Sequence, residues 1–125
     1  MVIAVGVDVV GLERFARALE RTPGLTERLF GPSDLSGVSE GRGGVESLAA
    51  RFAAKEATLK ALGGNMAGFR WHDIQVNRPH GQAPELVLSG SARDRAQSLG
   101  IARLHLSLSH DAGVAIAFVV AEGGE

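Results

Sequence analysis

The sequence contains no cysteine, which excludes disulfides, thiol nucleophiles and cysteine-ligated zinc sites. It also contains no tyrosine and a single tryptophan, so we expect a lean core of valine, leucine, isoleucine and alanine. No apolar run approaches the roughly 18 residues that a membrane-spanning helix requires. With a net charge of −1, the chain lacks the excess positive charge that is typical of nucleic-acid-binding proteins.

The sequence does contain enough apolar material for a core. Its 125 residues and hydrophobic content of 45% predict a single domain that spans residues 1–125. The N-terminus begins with a strand pattern rather than with a basic segment followed by an apolar one. We therefore expect no secretory leader and a soluble, cytoplasmic protein.

Hydrophobic periodicity predicts an α+β fold in which antiparallel hairpins accompany one long helix. The predicted strands are residues 3–10, 71–77, 84–88, 104–109 and 114–120, the last of them apolar throughout and expected to be fully buried. The predicted helices are residues 12–21, 45–62 and 91–99, with Ser91 as the cap of the last helix. Short helical turns are expected within residues 25–35, with a helix start at Pro32, and a loop is expected at residues 36–44.

The most informative stretch is the helix at residues 45–62, whose surface is almost entirely apolar. At about 100° per residue, its large apolar side chains fall in one sector and its alanines form a second stripe. Glu56 and Lys60 are one turn apart and lie at the border of these two surfaces. Because a carboxylate among apolar groups is costly unless it is paired or binds a cation, Glu56 is a candidate site residue.

Asp8 and Glu56 are isolated carboxylates on otherwise apolar elements, and together they indicate a magnesium site. Mg²⁺ prefers oxygen ligands and often uses only one or two carboxylates, which leaves room for substrate phosphates. Lys60 is placed to hold a phosphate as a point charge. Gly63 and Gly64, which end the helix, and Gly68 in the same loop are candidates to offer backbone N–H groups to an anion.

These residues also have simpler interpretations. Glu56 and Lys60 fit an ordinary surface ion pair along a helix. Asp8, near the end of its strand, fits a cap for the helix that begins at Leu12. The spacing alone leaves both alternatives open.

His110 and Asp111 lie in a predicted turn, where catalytic residues are often presented. An aspartate close to a glycine is also ordinary turn chemistry, so this alternative stays open. The other histidines, His72, His80 and His105, show no metal-ligand spacing and are interpreted as structural or solvent-facing.

Arg14, Arg17 and Arg21 form a stripe on the first predicted helix, opposite its apolar face. The nearby acids Glu13 and Glu20 are expected to lie off this face. The arginine stripe fits either a solvated surface or a docking surface for an acidic partner, whose approach it would steer by charge complementarity.

Four regions together resemble the holo-acyl-carrier-protein synthases, the short type of 4′-phosphopantetheinyl transferase. In chain order they are Val5-Gly6-Val7-Asp8 with Glu13-Arg14-Phe15, Arg51-Phe52-Ala53-Ala54-Lys55-Glu56-Ala57 with Lys60-Ala61-Leu62-Gly63, Trp71-His72-Asp73-Ile74 with Gly81-Gln82-Ala83-Pro84, and Leu106-Ser107-Leu108-Ser109-His110. The resemblance extends over nearly the whole chain, and the long-helix signature is its most specific part.

The resemblance implies a mainly antiparallel sheet packed on one central helix, and it implies a reaction. A serine of an apo acyl carrier protein attacks the β-phosphate of coenzyme A, phosphopantetheine is transferred, and adenosine 3′,5′-bisphosphate leaves. By position, Asp8 and Glu56 would bind Mg²⁺, and Lys60 would neutralise phosphate charge. Arg51 and His110 would contact the nucleotide phosphate end of coenzyme A. The reaction would support fatty-acid or polyketide biosynthesis.

The resemblance also implies an acidic helical partner for the arginine stripe, and a homotrimer with active sites between subunits. Arg51 and Lys60 project about 180° apart on a helical wheel, so they cannot easily reach one small site from the same chain. We therefore expect Arg51 to serve one subunit interface, and Glu56 with Lys60 to serve the neighbouring one.

Two positions depart from the family pattern. Asp111 stands where relatives often have a small or hydroxyl residue, and it becomes a candidate general base for the carrier serine, with His110 or a water as alternatives. Gln82 and Ala83 stand where many relatives have a basic residue between glycine and proline.

Two other functions are compatible with these residues. A Mg²⁺-dependent hydrolase of pyrophosphate-containing nucleotides would use Asp8, Glu56 and Lys60 equally well, but it would leave the arginine stripe without a role. An inactive module that binds a carrier protein or coenzyme A would show binding without turnover.

Overall fold

In the computed structural model, which describes residues 1–79 and 81–124, five strands form two antiparallel sheets around one long helix. The strands are β1 (Val2–Gly11), β2 (Ile74–Asn77), β3 (Glu85–Leu88), β4 (Ile101–Asp111) and β5 (Val114–Gly123). The helices are α1 (Leu12–Arg21), α2 (Leu25–Leu29), α3 (Pro32–Leu35), α4 (Arg42–Ala61) and α5 (Gly90–Ser98). The larger sheet has the order β1-β5-β4, and β2 pairs with β3, so the predicted α+β class is confirmed.

Helix α4 packs its alanine stripe against the inner face of the larger sheet, where Ala53 and Ala57 are fully buried. The closest approach is at Gly6 of β1, where a Cβ would lie 1.9 Å from the Ala57 carbonyl oxygen. Only glycine fits there, because strand and helix touch backbone to backbone. Asp8 lies on the same inner face two residues beyond this seam, and Glu56 directly precedes Ala57.

The outer face of the larger sheet is apolar and exposed in the single chain. Val5, Val7 and Val9 on β1 are 55%, 49% and 58% exposed, and Phe118 on β5 is 45% exposed. The expectation of a fully buried strand at residues 114–120 is therefore wrong for the single chain, because only alternate side chains of β5 face α4. We call this surface, formed by the three valines and Phe118, the outer face.

Element boundaries follow the prediction where the sequence carries a clear start or stop signal. Helix α1 covers Leu12–Arg21 as predicted, and Pro32 begins α3. Helix α4 begins at Arg42, so it includes the end of the loop expected at residues 36–44. Among the described residues, no helix combines the length and the apolar character needed to cross a bilayer.

Two local predictions near Asp73 are wrong. Trp71–Asp73 forms a 3₁₀ turn instead of the start of a strand, and the Asp73 carboxylate accepts a hydrogen bond from the Arg70 backbone N–H at 3.1 Å. Ser91 does not cap α5, which begins one residue earlier. Its hydroxyl instead donates to Asp73 Oδ2 at 3.1 Å, which ties α5 to this turn.

Candidate active site

Asp8 and Glu56 line one cavity between β1, α1 and α4, which we call the carboxylate cavity. Its volume is about 340 Å³, and Arg14, Phe15 and Phe52 contribute to its wall. Asp8 reaches it from the inner face of β1, and Glu56 reaches it from the middle of α4. The fold thus brings together the two carboxylates that are 48 positions apart in the sequence.

The environment of Glu56 is unfavourable for a lone anion. Burial raises the pKa of Glu56 above its ordinary value and the neighbouring Asp8 raises it further, while Lys60 acts in the opposite direction. A cation bound by both carboxylates would relieve this repulsion.

The donor set fits Mg²⁺. No cluster of three or more acids and histidines suited to a metal occurs among residues 1–79 and 81–124. An ion held by Asp8 and Glu56 would therefore complete its coordination with water and substrate oxygens, which is how Mg²⁺ commonly binds.

Lys60 pairs with Asp8 rather than with Glu56. Its Nζ lies 3.0 Å from Asp8 Oδ1 and donates to the Val7 carbonyl oxygen, also at 3.0 Å. The structure therefore does not show the ordinary pair along the helix. Asp8 does not cap α1 either, because Gly11 stands at the N-cap and no described side chain bonds the start of that helix.

A second cavity, of about 440 Å³, contains Arg51 and His110, and we call it the arginine cavity. It shares no described lining residue with the carboxylate cavity. The structure thus groups the two residues expected at the nucleotide end of coenzyme A and separates them from Asp8 and Glu56. This separation agrees with the opposite directions of Arg51 and Lys60 on the helical wheel.

Arg51 is an unusual cation because it is only 7% exposed. Its Nη1 donates to the Ser47 carbonyl oxygen at 3.2 Å, and its Nε has no hydrogen-bond partner in the described part of the chain. Burial and the neighbouring Arg78 lower the pKa of Arg51, and Asp34 partly opposes them. A buried guanidinium with an unpaired N–H in a cavity wall is suited to bind an anion.

His110 and Asp111 are the last residues of β4, and the turn itself is formed by Ala112 and Gly113 with φ of 50° and 80°. His110 Nδ1 lies 3.9 Å from Glu46 Oε2. Asp111 is exposed, and its Oδ1 accepts a hydrogen bond from the Ala112 backbone N–H at 2.9 Å. No hydrogen bond from a described residue engages its Oδ2, so one carboxylate oxygen supports the turn and the other is available to a proton donor.

The end of α4 differs from the expected anion site. Gly63 donates its backbone N–H to the Lys60 carbonyl oxygen at 3.0 Å, and Gly64 donates to the Leu59 carbonyl oxygen at 2.9 Å. Both bonds belong to the termination of the helix. The N–H groups of these two glycines are therefore already engaged at the helix end.

The arginine stripe extends from the carboxylate cavity along α1, and Arg14, Arg17 and Arg21 are all exposed. Arg14 and Arg17 also line a third cavity, of about 770 Å³, that reaches Gly113 in the β4–β5 turn. Glu13 lies 3.9 Å from Arg17, so the expectation that Glu13 lies off this face is wrong. Because the pair is exposed, it neutralises the stripe only weakly.

Sequence reasoning missed a buried ion pair between Lys55 and Asp34. Both side chains are 0% exposed and lie 2.7 Å apart. Lys55 Nζ also donates to the carbonyl oxygens of Trp71 and Ile74, and Asp34 accepts two backbone N–H groups. The pair ties α3, α4 and β2 together next to Glu56. Its only sequence signal is a lysine within an alanine-rich, buried stretch of helix.

Two of the remaining histidines have the structural or exposed positions that we expected. His72 Nε2 donates to the Glu27 carbonyl oxygen at 2.6 Å, and His105 Nε2 lies 3.3 Å from Glu122 Oε1 at the surface. His80 lies outside the described residues.

Comparison with known proteins identifies relatives over nearly the whole chain. Residues 4–119 match the family described as the 4′-phosphopantetheinyl transferase superfamily. The chain is 54% identical over 123 residues to the holo-[acyl-carrier-protein] synthase of Streptomyces griseus, an alignment that covers 98% of this chain and 100% of the relative. It is 50% identical to the same-named protein of Clavibacter michiganensis, with 98% of both chains covered.

Solved structures show the same fold. The holo-[acyl-carrier-protein] synthase of Helicobacter pylori in complex with coenzyme A matches with a TM-score of 0.80 and 32% identity, over 94% of this chain and 99% of that one. The holo-ACP-synthase of Plasmodium yoelii matches with a TM-score of 0.86 and 25% identity, over 100% and 98% of the two chains. These likenesses confirm the family resemblance and the fold that the sequence predicted.

Proposed function

The chain belongs to the 4′-phosphopantetheinyl transferase superfamily. We propose that it binds the substrates of a phosphopantetheine transfer in separate cavities. The protein transfers the 4′-phosphopantetheine group of coenzyme A to a serine of an apo acyl carrier protein. The products are holo acyl carrier protein and adenosine 3′,5′-bisphosphate. Residues 1–125 act as one transferase domain. The reaction serves fatty-acid or polyketide biosynthesis.

We assign the reacting centre to the carboxylate cavity, because Asp8 and Glu56 line it together and Lys60 is bonded to Asp8. Asp8 and Glu56 would hold Mg²⁺, which when bound supplies positive charge to pyrophosphate oxygens. Lys60 neutralises phosphate charge from the end of α4. Arg14, in the wall of the same cavity, is placed to orient an anionic group that enters it.

The chemistry exchanges one phosphorus–oxygen bond for another. The serine oxygen bonds to the β-phosphorus as the bond from that phosphorus to the bridging oxygen breaks, and the bisphosphate carries away the electron pair. Such transfers depend mainly on positioning and charge neutralisation, which these side chains supply. Asp111 is the proposed acceptor of the serine proton, with His110 or a water as alternatives.

The arginine cavity is the proposed site for the nucleotide phosphates. Arg51 supplies a buried cation with an unpaired Nε, and His110 faces the same space from the end of β4. Because this cavity and the carboxylate cavity lie apart in one chain, one coenzyme A molecule is best held between neighbouring subunits.

A homotrimer would join these half-sites. The exposed outer face, with its three valines and Phe118, supports self-association because contiguous apolar surfaces usually mark interfaces. A ring of three chains with head-to-tail contacts would place Arg51 of one subunit beside Glu56 and Lys60 of the next.

The arginine stripe is the proposed docking surface for the acidic carrier protein. Its position at the mouth of the carboxylate cavity would bring the carrier serine to the β-phosphate. Arg14 contributes to both the cavity wall and the stripe, so it links carrier binding to the reacting centre.

The test is the mass of an apo acyl carrier protein after incubation with this protein, coenzyme A and Mg²⁺. We expect a gain of one phosphopantetheine that is lost with a chelator and with Glu56→Gln, but kept with Glu85→Gln on the exposed edge of β3. Breakdown of coenzyme A without carrier modification would instead indicate a hydrolase. Carrier or coenzyme A binding without any reaction would indicate an inactive binding module.

A further inference from the structure

The loop that follows α4 is held by an arginine from a different helix. Arg95 of α5 donates from Nη1 to the Leu62 carbonyl oxygen at 2.8 Å. The same guanidinium also donates to the carbonyl oxygens of Gly64 and Asn65, both at 3.4 Å. Carbonyl groups at the end of a helix lack partners within the helix and carry the negative end of its dipole. One planar guanidinium therefore supports the C-terminal end of α4 from outside that helix.

The backbone of this loop has an irregular conformation that Arg95 matches. Gly63, Gly64 and Asn65 have φ of 91°, 67° and 33°, so three consecutive residues lie in the left-handed region. Residues in this region occur singly and do not build a helix of their own, so their carbonyl groups need partners from elsewhere. The absence of a side chain at Gly63 leaves room for the guanidinium, because a Cβ there would lie only 3.2 Å from Arg95 Nη1.

A series of contacts connects this loop to Lys60. Gly63 donates its backbone N–H to the Lys60 carbonyl oxygen at 3.0 Å, so the loop sets the backbone of the last turn of α4. From that turn, Lys60 Nζ reaches Asp8 Oδ1 at 3.0 Å. Arg95 does not line the carboxylate cavity, so its influence on that cavity passes through these contacts.

We infer that Arg95 is a positioning residue that fixes Lys60 through the loop at residues 62–65. The Lys60 ammonium group is carried on a flexible four-carbon stem and is about half exposed, so its direction depends on where its backbone is anchored. Arg95 supplies that anchor from α5. The inference rests on the proposed function in one respect, that Lys60 neutralises phosphate charge during the transfer. The contact between Lys60 and Asp8 does not depend on that role and can be observed without substrate.

NMR can follow this contact because the chain has only two lysines, Lys55 and Lys60. Protein labelled with ¹³C-lysine gives one Cε signal from each of them. We expect Arg95→Met to move the Lys60 signal toward its position in Asp8→Asn, where the ion pair is removed. The Lys55 signal should stay in place, which would show that the buried core pair is intact. Arg93→Met is the matched control, because Arg93 is exposed on the same helix and lines a different cavity, between α5 and β4.

Kinetic measurements test whether the effect of Arg95 passes through Lys60. Arg95→Met should lower kcat by about tenfold and leave KM for the carrier protein unchanged, because a misplaced charge affects the transfer step and not docking. In a Lys60→Met background the same substitution should cause little further loss, since two residues that act through one group are not additive. Arg95→Lys should keep part of the rate, because an ammonium group reaches fewer of these carbonyl oxygens than a guanidinium does. If Arg95→Met does not fold, Arg95→Lys serves for both comparisons.

The outcomes separate this inference from the proposed function. An unmoved Lys60 signal in Arg95→Met would overturn the inference, and so would equal losses of kcat with and without Lys60. A wild type that modifies no carrier, together with a moved Lys60 signal, would retain the role of Arg95 and reject the transferase. Normal transfer by both the wild type and Arg95→Met, with an unmoved signal, would retain the transferase and reject the role of Arg95.

Discussion

Lys60 Nζ lies 3.0 Å from Asp8 Oδ1, so the ammonium group of α4 contacts the carboxylate that is proposed as a metal ligand. The same nitrogen also holds the Val7 carbonyl oxygen and thereby ties the end of α4 to β1. The Lys60 ammonium group and the proposed Mg²⁺ would therefore both contact the Asp8 carboxylate. Lys60 is about half exposed, so its ammonium group can turn toward a substrate phosphate, whereas the Asp8 carboxylate is only 15% exposed and would then need the proposed metal as its partner.

Replacing Lys60 should separate metal binding from catalysis. In Lys60→Met the two carboxylates lose their neighbouring positive charge, so Mg²⁺ alone should bind about twofold to fivefold more tightly. Transfer should fall, because the phosphate loses its point charge. Calorimetry with Mg²⁺ and the carrier mass assay measure the two effects, with Arg103→Met as a control far from the cavity. Weaker metal binding in Lys60→Met would contradict this view of Asp8.

Metal binding should depend on pH through Glu56. Because the pKa of Glu56 is raised, mainly by burial and then by Asp8, protons compete with Mg²⁺ at a higher pH than for an ordinary glutamate. We expect the affinity for Mg²⁺ to fall as pH drops through this raised pKa. We also expect Glu56→Gln to weaken Mg²⁺ binding by at least about tenfold at neutral pH. Calorimetric titration from neutral to acidic pH tests this. Affinity that stays constant down to the ordinary glutamate pKa would reject it.

The same shift predicts a stability effect in metal-free protein. A carboxyl whose pKa is higher in the folded state favours folding most when it is protonated, below its unfolded pKa, and this contribution is lost as pH rises through the folded pKa. Glu56→Gln should therefore be more stable than the wild type at neutral pH, with the difference disappearing below about pH 4.5. Urea unfolding with chelator at both pH values measures this. A variant less stable at neutral pH would contradict it.

The buried pair of Lys55 and Asp34 should matter more for stability than any exposed ion pair. Asp34→Ala leaves an unpaired ammonium in the core and should lower the free energy of unfolding by about 3–5 kcal/mol. Adding Lys55→Met should recover part of this loss, since the unpaired charge is then gone. It should not recover all of it, because Asp34 also accepts two backbone N–H groups. Denaturant unfolding of the two single variants and the double variant gives the comparison, and additive losses would disprove the coupling.

The arginine stripe should affect carrier binding and not coenzyme A binding. Arg17→Ala and Arg21→Ala should each raise KM for the acyl carrier protein by about fivefold, more at low salt than at high salt. Neither should change KM for coenzyme A. Arg93→Ala, an exposed arginine on α5, is the matched control. An equal effect of all three substitutions would indicate net charge rather than a docking surface.

Subunit sharing of the site can be tested by mixing two inactive variants. If Arg51 and Glu56 act from neighbouring subunits, trimers reassembled from equal amounts of Arg51→Ala and Glu56→Gln should contain both wild-type residues at about a quarter of their sites. The carrier mass assay should then recover activity that neither variant has alone. No recovery in a proven mixed oligomer would place both residues in one subunit's site.

The local elements were predictable where the sequence carries its own signals. Helix α1 has an amphipathic pattern and ends before Thr22-Pro23-Gly24, so both of its boundaries follow from short-range chemistry. The glycines after α4 carry the same kind of signal. They mark a helix end, and that termination uses the N–H groups of Gly63 and Gly64, which the sequence pattern also offered to an anion.

The hydrophobic periodicity of the sequence is not enough to predict the candidate site. Spacing along the chain identifies Asp8 and Glu56 as isolated carboxylates, and only the packing of β1 on α4 brings them to one cavity. Asp34 gave no signal, because a short helix beginning with Pro32 resembles many surface turns and its partner Lys55 is 21 positions away. Pairings of this kind depend on tertiary contacts that no local pattern encodes.

The seam between Gly6 and Ala57 has a mechanical consequence for the carboxylate cavity. Where two main chains touch, there is no layer of side chains to compress or rearrange, so strand and helix move as one body. The distance between the backbone positions that carry Asp8 and Glu56 is thus fixed by this contact. Substitutions elsewhere in the core can loosen the surrounding walls and still leave that spacing intact, whereas a single methyl group at Gly6 would reset it.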